Sequence, residues 1–278
     1  SQCEPVLPDT PAFLPVGKEG VAFSKDYVHP LSVNGTWVGP TRTTVNADAA
    51  SFIGQAIRWG AYVYLFLGLD FGEDSVRVAD IGDFSSWSDG PTLSYPDSFG
   101  QLYSFSATNQ RLWLSGNESG LYYLLPNAPA FENIGGFVNR YGAPANVFSV
   151  CCVGNSVVCT ETYGKVWRSD ADGPFVQVYE FNPEGVGAFG PNQGAIATDG
   201  DRIVIAGSLR DFDGCAGRYT DNLGDTWTVC DMSGVSSEVT PRTVAWVGGD
   251  VWVMSAAGAT EGSKSVGGFY ISTNRAQP

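Results

Sequence analysis

One short pattern recurs five times along the chain: a small or apolar segment, a Gly or Asn, two spacers, then an apolar run. The turn residues are Gly60, Asn109, Gly154, Gly200 and Gly248, separated by 49, 45, 46 and 48 residues. A fixed period of this size means that one supersecondary unit is repeated, each copy burying its faces against its neighbours. Each copy reads as two strands joined by a tight hairpin, because Gly and Asn tolerate positive φ and the flanks are β-branched or aromatic. The residues three, four and five positions past every turn are apolar or Cys, from Val63-Tyr64-Leu65 to Val251-Trp252-Val253. A strand apolar at every position is one covered on both faces. The preceding strands carry small residues, as in Ser104-Phe105-Ser106-Ala107, Ser149-Val150-Cys151 and Ala195-Ile196-Ala197, which suits crowding around a central axis.

About fifteen residues after each hairpin a third strand is expected: Val76-Arg77-Val78-Ala79, Leu121-Tyr122-Tyr123-Leu124, Lys165-Val166-Trp167-Arg168, Arg218-Tyr219 and Phe269-Tyr270-Ile271. Four strands per repeat of 40 to 50 residues is β-propeller blade arithmetic. No 3.6-residue periodicity of useful length survives the 35 Gly and 16 Pro, so a helical solenoid is excluded. The fold expected is therefore all-β, a single propeller domain over 1–278. Its blades fall at about 51–98, 99–140, 144–185, 190–232 and 238–278, after an N-terminal segment 1–50.

Thr220-Asp221-Asn222-Leu223-Gly224-Asp225-Thr226-Trp227 resembles the Asp-box, or BNR, repeat, whose pattern is Ser-x-Asp-x-Gly-x-Thr-Trp. Thr stands for Ser and Asn for Asp, both able to make the same hydrogen bonds. The resemblance implies that Thr220, Asn222, Gly224 and Thr226 tie down the turn between third and fourth strands while Trp227 packs between blades. Ser169-Asp170-Ala171-Asp172-Gly173 is similar but lacks the terminal Thr-Trp. Ser24-Lys25-Asp26 with Gly35-Thr36-Trp37 resembles a copy opened by an insertion, and Ser272-Thr273-Asn274 one cut short. From the short last repeat we expect Gly35-Thr36-Trp37-Val38 to complete the last blade and close a ring of five blades. Gly20-Val21-Ala22-Phe23-Ser24 also reads as a third strand, which would make an incomplete sixth blade.

Acidic residues number 29 against 15 basic, a net charge of −14, which repels phosphate backbones and anionic head groups. Nucleic acid is thus not an expected partner. The longest apolar run, Ala61 to Leu69, has nine residues, whereas a membrane-spanning helix needs about twenty, so membrane insertion is not expected. Ser1 to Pro5 has no basic n-region followed by an apolar stretch. Six Cys and a single His, His29, assemble no zinc pattern, and no metal or cofactor is expected. Cys215 with Cys230, or Cys151 facing Cys159 across a three-residue loop, would suit disulfides in an oxidising compartment; reduced buried thiols are preferred. Asn34-Gly35-Thr36 and Asn117-Glu118-Ser119 match the glycosylation triplet.

In propellers the loops from fourth to next first strand, and from second to third strand, share one face, the default binding face. The binding residues chosen there are Asn139, Arg140, Tyr163, Gln193, Arg210, Asp211 and Arg242. The Asp-box resemblance brings sialidases to mind, but their Arg-Ile-Pro signature is absent, Pro40-Thr41-Arg42-Thr43 being the nearest segment. The innermost strands hold no paired carboxylates for acid, base or nucleophile, so no catalytic residue is assigned. The function expected is a non-enzymatic binding or structural propeller, in contact with other protein subunits or a surface glycan and compatible with an oligomer. The acidic composition, with four Lys against eleven Arg, resembles that of small phage-tail and virion propellers. The alternatives are a secreted lectin or sialidase-like glycoside hydrolase, and an assembly factor like the Asp-box propellers that help build photosystems.

Overall fold

The computed structural model describes residues 12–16, 19–24, 27–31, 43–44, 51–69, 75–81, 86–93, 102–116, 120–161, 163–181, 189–209, 215–235, 239–261 and 264–276. Their regular structure is antiparallel β-sheet. β1 (Ala12–Val16), β2 (Glu19–Ser24), β3 (Tyr27–Leu31) and β4 (Thr43–Thr44) form the first four-stranded sheet, in that order. The second holds β5 (Ser51–Trp59), β6 (Tyr62–Leu69), β7 (Ser75–Asp80) and β8 (Ser88–Asp89). The third holds β9 (Leu102–Ala107), β10 (Leu112–Gly116), β11 (Leu121–Leu124) and β12 (Glu132–Ile134). The fourth is β13 (Val147–Val153), β14 (Ser156–Glu161), β15 (Lys165–Asp170) and β16 (Val176–Glu180), and the fifth β17 (Phe189–Thr198), β18 (Ile203–Leu209), β19 (Cys215–Thr220) and β20 (Thr228–Val229). β21 (Val239–Gly248), β22 (Val251–Glu261) and β23 (Lys264–Ser272) form a three-stranded sheet. Five four-stranded blades are thus present.

The first of these blades occupies the segment read from sequence as a closing strand, Gly35–Val38, and a third strand, Gly20–Ser24; the latter falls instead in the second strand, β2. The blade's runs Ala12–Val16, Glu19–Ser24 and Tyr27–Leu31 are separated by two residues each, the spacing of two-residue hairpins. Pro15 and Pro30, which cannot donate to a ladder, disguise them in the sequence although both sit in paired positions, opposite Gly20 and Val21. Gly35–Val38 lie outside the described residues.

The chain divides into two compact units, 1–101 with 124–132, and 102–123 with 133–278. In the first, β1 and β2 lie beside β5, Thr92 bridges to Ala130, and Arg77 pairs with Asp89 across β7 and β8. In the second, the first strands β9, β13, β17 and β21 lie side by side in that order. Small side chains let them approach, and serines join them: Ser104 Oγ donates to Val150 O at 3.0 Å and accepts from Val150 N at 3.2 Å, while Ser106 Oγ accepts from Cys152 N at 2.8 Å. Successive sheets stack through apolar faces. Trp113, Phe137, Val150 and Cys159 fill one interface, Val158, Phe181, Ile196 and Ile205 the next, and Val204, Ala206, Trp252 and Met254 the last. The apolar triplets after the turns are buried in every repeat except at Val251 and Val253, on the face of β22 opposite Trp252 and Met254.

The turn after β19 is held by its own side chains. Thr220 Oγ1 accepts from Gly224 N at 3.1 Å and donates to Asn222 Oδ1 at 2.8 Å, which also accepts from Thr226 N at 3.0 Å. Asn222 Nδ2 donates to Thr226 Oγ1 at 2.8 Å, and Trp227 Nε1 to Gly224 O at 3.0 Å. Gly224 has φ +92°, and a Cβ there would stand 3.2 Å from Val166 of the preceding blade. Trp227 meets Phe181 of that blade edge-on, ring centroids 5.2 Å apart. The same bonds recur after β23, where Ser272 Oγ donates to Asn274 Oδ1 at 2.7 Å and accepts from Ala276 N at 3.0 Å. Ser169 instead donates to Gly173 O at 2.6 Å across a turn with positive φ at Ala171 and Asp172.

Candidate binding surface

Between β12 and β13 the chain folds into a small hairpin whose roots are buried and whose tip is not. Phe137, at its base, lies among Trp167 and Phe175, with ring centroids at 5.6 and 5.3 Å. Asn139 is buried and braces the tip: its Oδ1 accepts from Tyr141 N at 2.9 Å and Ala143 N at 3.2 Å. Its backbone bonds Ala143 O and Gly142 N, and Gly142 turns the chain with φ +77°. Asn139 is thus a scaffold residue, and what the scaffold presents is Arg140 and Tyr141. The Arg140 guanidinium stands 4.9 Å over the Tyr141 ring and donates to its hydroxyl at 2.8 Å. Tyr141 is 65% exposed, so an amphipathic ring with its polar tip already oriented faces solvent.

The loop from β14 to β15 supplies the other wall. Tyr163 meets Tyr141 edge to face at 5.4 Å. Glu161, fully buried, accepts from Tyr163 N through Oε2 and from Lys165 N through Oε1, both at 2.9 Å. Burial pushes its carboxyl above the ordinary value, against the pull of those two N–H groups. With both oxygens engaged inside the turn, Glu161 holds Tyr163 in place rather than offering an acid to a ligand. Lys165 Nζ donates to Val138 O at 3.3 Å, tying the two loops together.

A second feature marks the same end of the blades. Outside the first sheet, where β1 and β2 pair without a shift, the pairing of first strand with second shifts register at Gly54, Tyr103, Phe148, within 192–195, and at Arg242. In every repeat the unpaired residue lies six before the turn residue, or spans that position, so the bulge belongs to the repeat. A β-bulge bends the strand and can re-aim a side chain, and Arg242 is exposed at this one, in the middle of β21. Gln193 falls in the corresponding irregular stretch of β17. Arg210 and Asp211 lie outside the described residues.

Of the residues selected from sequence, the structure brings Asn139, Arg140 and Tyr163 into one cluster, with Arg242 and Gln193 on the bulged first strands of later sheets. Sequence reasoning missed Tyr141, although its place in the same loop as Arg140, flanked by Gly142, is the signal of an exposed aromatic. Among the described residues no group of three or more His, Cys, Asp or Glu converges. The five described cysteines are unpaired. Cys151 stands opposite Val158, because the hairpin turn has two residues and not three; Cys152 and Cys159 share a face instead.

No protein-family model and no curated protein matches the chain. Solved structures do. YCF48 bound to D1 peptide is 12% identical with a TM-score of 0.60, over 86% of this chain and 72% of that one. The GH74 xyloglucanase from Xanthomonas campestris is 12% identical with a TM-score of 0.62, over 93% of this chain and 42% of the enzyme. The extracellular domain of the putative hybrid two component system BT4673 from B. thetaiotaomicron is 15% identical with a TM-score of 0.63, over 96% of this chain and 32% of that one. Together with the blades described above, these likenesses give the fold as a β-propeller.

Proposed function

We propose that this chain is a non-enzymatic binding propeller that holds a protein subunit or a surface glycan at the end carrying Arg140, Tyr141 and Tyr163. The observation that carries this reading is the exposed Tyr141, held by three neighbours in a single orientation before any ligand arrives. A preset aromatic beside a guanidinium stacks on a sugar face or an apolar side chain and donates hydrogen bonds at its edge, with little ordering cost on binding. Gln193 and Arg242, on the bulged strands, extend the same end, and Arg210 and Asp211, which follow β18 in the sequence, belong to the proposed binding set. The turn Thr220–Trp227 is an Asp-box in this reading, with a structural role away from the ligand. Gly35–Val38 would complete the last blade, and the setting is a virion or tail, in an assembly that admits oligomers.

The alternatives differ in what they do to a bound sugar. Glu161, a carboxyl near the site, is consumed as a loop brace, which favours binding over glycoside hydrolysis. A glycan array read for both retention and hydrolysis, beside a binding screen against proteins encoded by neighbouring genes, tests the reading. Retention without cleavage is expected; release of reducing sugar from any glycoside overturns it.

A further inference from the structure

Both methionines of the chain and two of its six cysteines converge in the interface between the fifth sheet and the three-stranded sheet. Cys215 lies on β19, Cys230 follows β20, Met232 lies just beyond it, and Met254 is on β22. The Cys215 thiol donates to the Met254 sulfur at 3.7 Å. Gly217, two residues from Cys215 on the same face of β19, is where the other two sulfurs arrive. A Cβ there would stand 3.1 Å from Cys230 Sγ and 3.2 Å from Met232 Sδ. The glycine therefore keeps clear the space between them. A groove of about 690 Å³ opens onto Cys230, Met232 and Met254 along this interface.

From this convergence we propose a binding site for a soft monovalent metal ion, Cu(I) in type, with ligands drawn from Cys215, Cys230, Met232 and Met254. Thioether and thiolate sulfur select soft ions over harder ones. A tetrahedron with metal–sulfur bonds of about 2.3 Å has edges of about 3.8 Å, and the Cys215 to Met254 separation of 3.7 Å matches one such edge. Cys and His spacing alone does not reveal such a site, since the two methionines supply half of it. On binding, one of the two thiols gives its proton to solvent, and the thiolate cancels the charge of the ion inside an apolar cluster.

The test is an anaerobic titration of the reduced, full chain with Cu(I) against a chromophoric Cu(I) chelator. One ion per chain is expected, with sulfur at about 2.3 Å by X-ray absorption. A variant with Met232→Leu and Met254→Leu, near-isosteric changes, is expected to fold and to bind at least tenfold more weakly. If that variant does not fold, the rise in the unfolding temperature of the unaltered chain with Cu(I) is the second readout. Failure of the unaltered chain to compete with the chelator, equal binding by the folded double variant, or no rise in unfolding temperature overturns the site.

Discussion

At the scale of residues, arginine stands out for how it is used. Arg202 is buried, yet its guanidinium is bonded to both oxygens of Asp221 at 2.6 and 2.7 Å, donates to Arg275 O at 2.5 Å and stacks 3.9 Å from the Tyr219 ring. Arg275 in turn donates to Asp199 at 2.7 Å, so a charge network joins the β17 to β18 turn to the end of β23. The Arg202 guanidinium holds the Asp221 carboxyl below the usual range. At Asp199, burial works upward but the Arg202 backbone N–H and the Arg275 guanidinium override it and hold that carboxyl low too. A carboxyl lowered on folding stabilises above its unfolded pKa of about 3.9, and that contribution is lost as pH falls through the lower folded value. Asp221→Asn is accordingly expected to cost about 2 kcal/mol at pH 7, discounted for the half-exposed aspartate, with the gap narrowing in urea unfolding curves as pH falls below about 4. Ser104→Ala, which leaves Val150 N without its hydroxyl acceptor, is expected to cost about 1 to 2 kcal/mol in the same assay.

At the scale of elements, the second and third strands of the five sheets that carry the repeat were the legible part, because apolar runs beside Gly or Asn turns state their own burial. Residues that break a pattern were not. Pro15 and Pro30 hid β1 and β3 of the first sheet, and the bulges leave only an extra residue in an alternation too short to expose it. The cysteine facing was misread for a related reason: a two-residue turn in place of three moves Cys151 to the opposite face from Cys159. The candidate site was half visible. Arg140 and Tyr163 follow from loop position, whereas the pairing of Tyr141 with both depends on Asn139 and Glu161 folding two loops toward each other. Because Arg242 is exposed at a bulge, Arg242→Ala is expected to shift stability by less than about 0.5 kcal/mol while weakening ligand binding. Asn222→Ala, by contrast, removes three hydrogen bonds from the turn and is expected to cost about 2 kcal/mol without touching binding.

At the scale of the molecule, ion pairs span each neighbouring pair of sheets in the second unit: Arg111 with Asp172 at 3.2 Å, Arg168 with Asp225 at 2.8 Å, and Arg275 with Asp199. Three of the 15 basic residues thus help hold sheets together, and the net charge of −14 acts on partners. Association with a basic protein is therefore expected to slow as salt rises from about 50 to 500 mM, and association with an acidic glycan to quicken, in stopped-flow or surface-binding kinetics. The central claim is that ligand is held at the Arg140, Tyr141 and Tyr163 end and left intact. Its most direct test compares the affinity of the retained ligand for the unaltered chain, for Tyr141→Ala, and for Asn222→Ala at the other end of the blades. The account predicts at least a tenfold loss with Tyr141→Ala, less than twofold with Asn222→Ala, and no cleavage of the ligand. Equal affinity for the unaltered chain and Tyr141→Ala, or hydrolysis of the ligand, would contradict it.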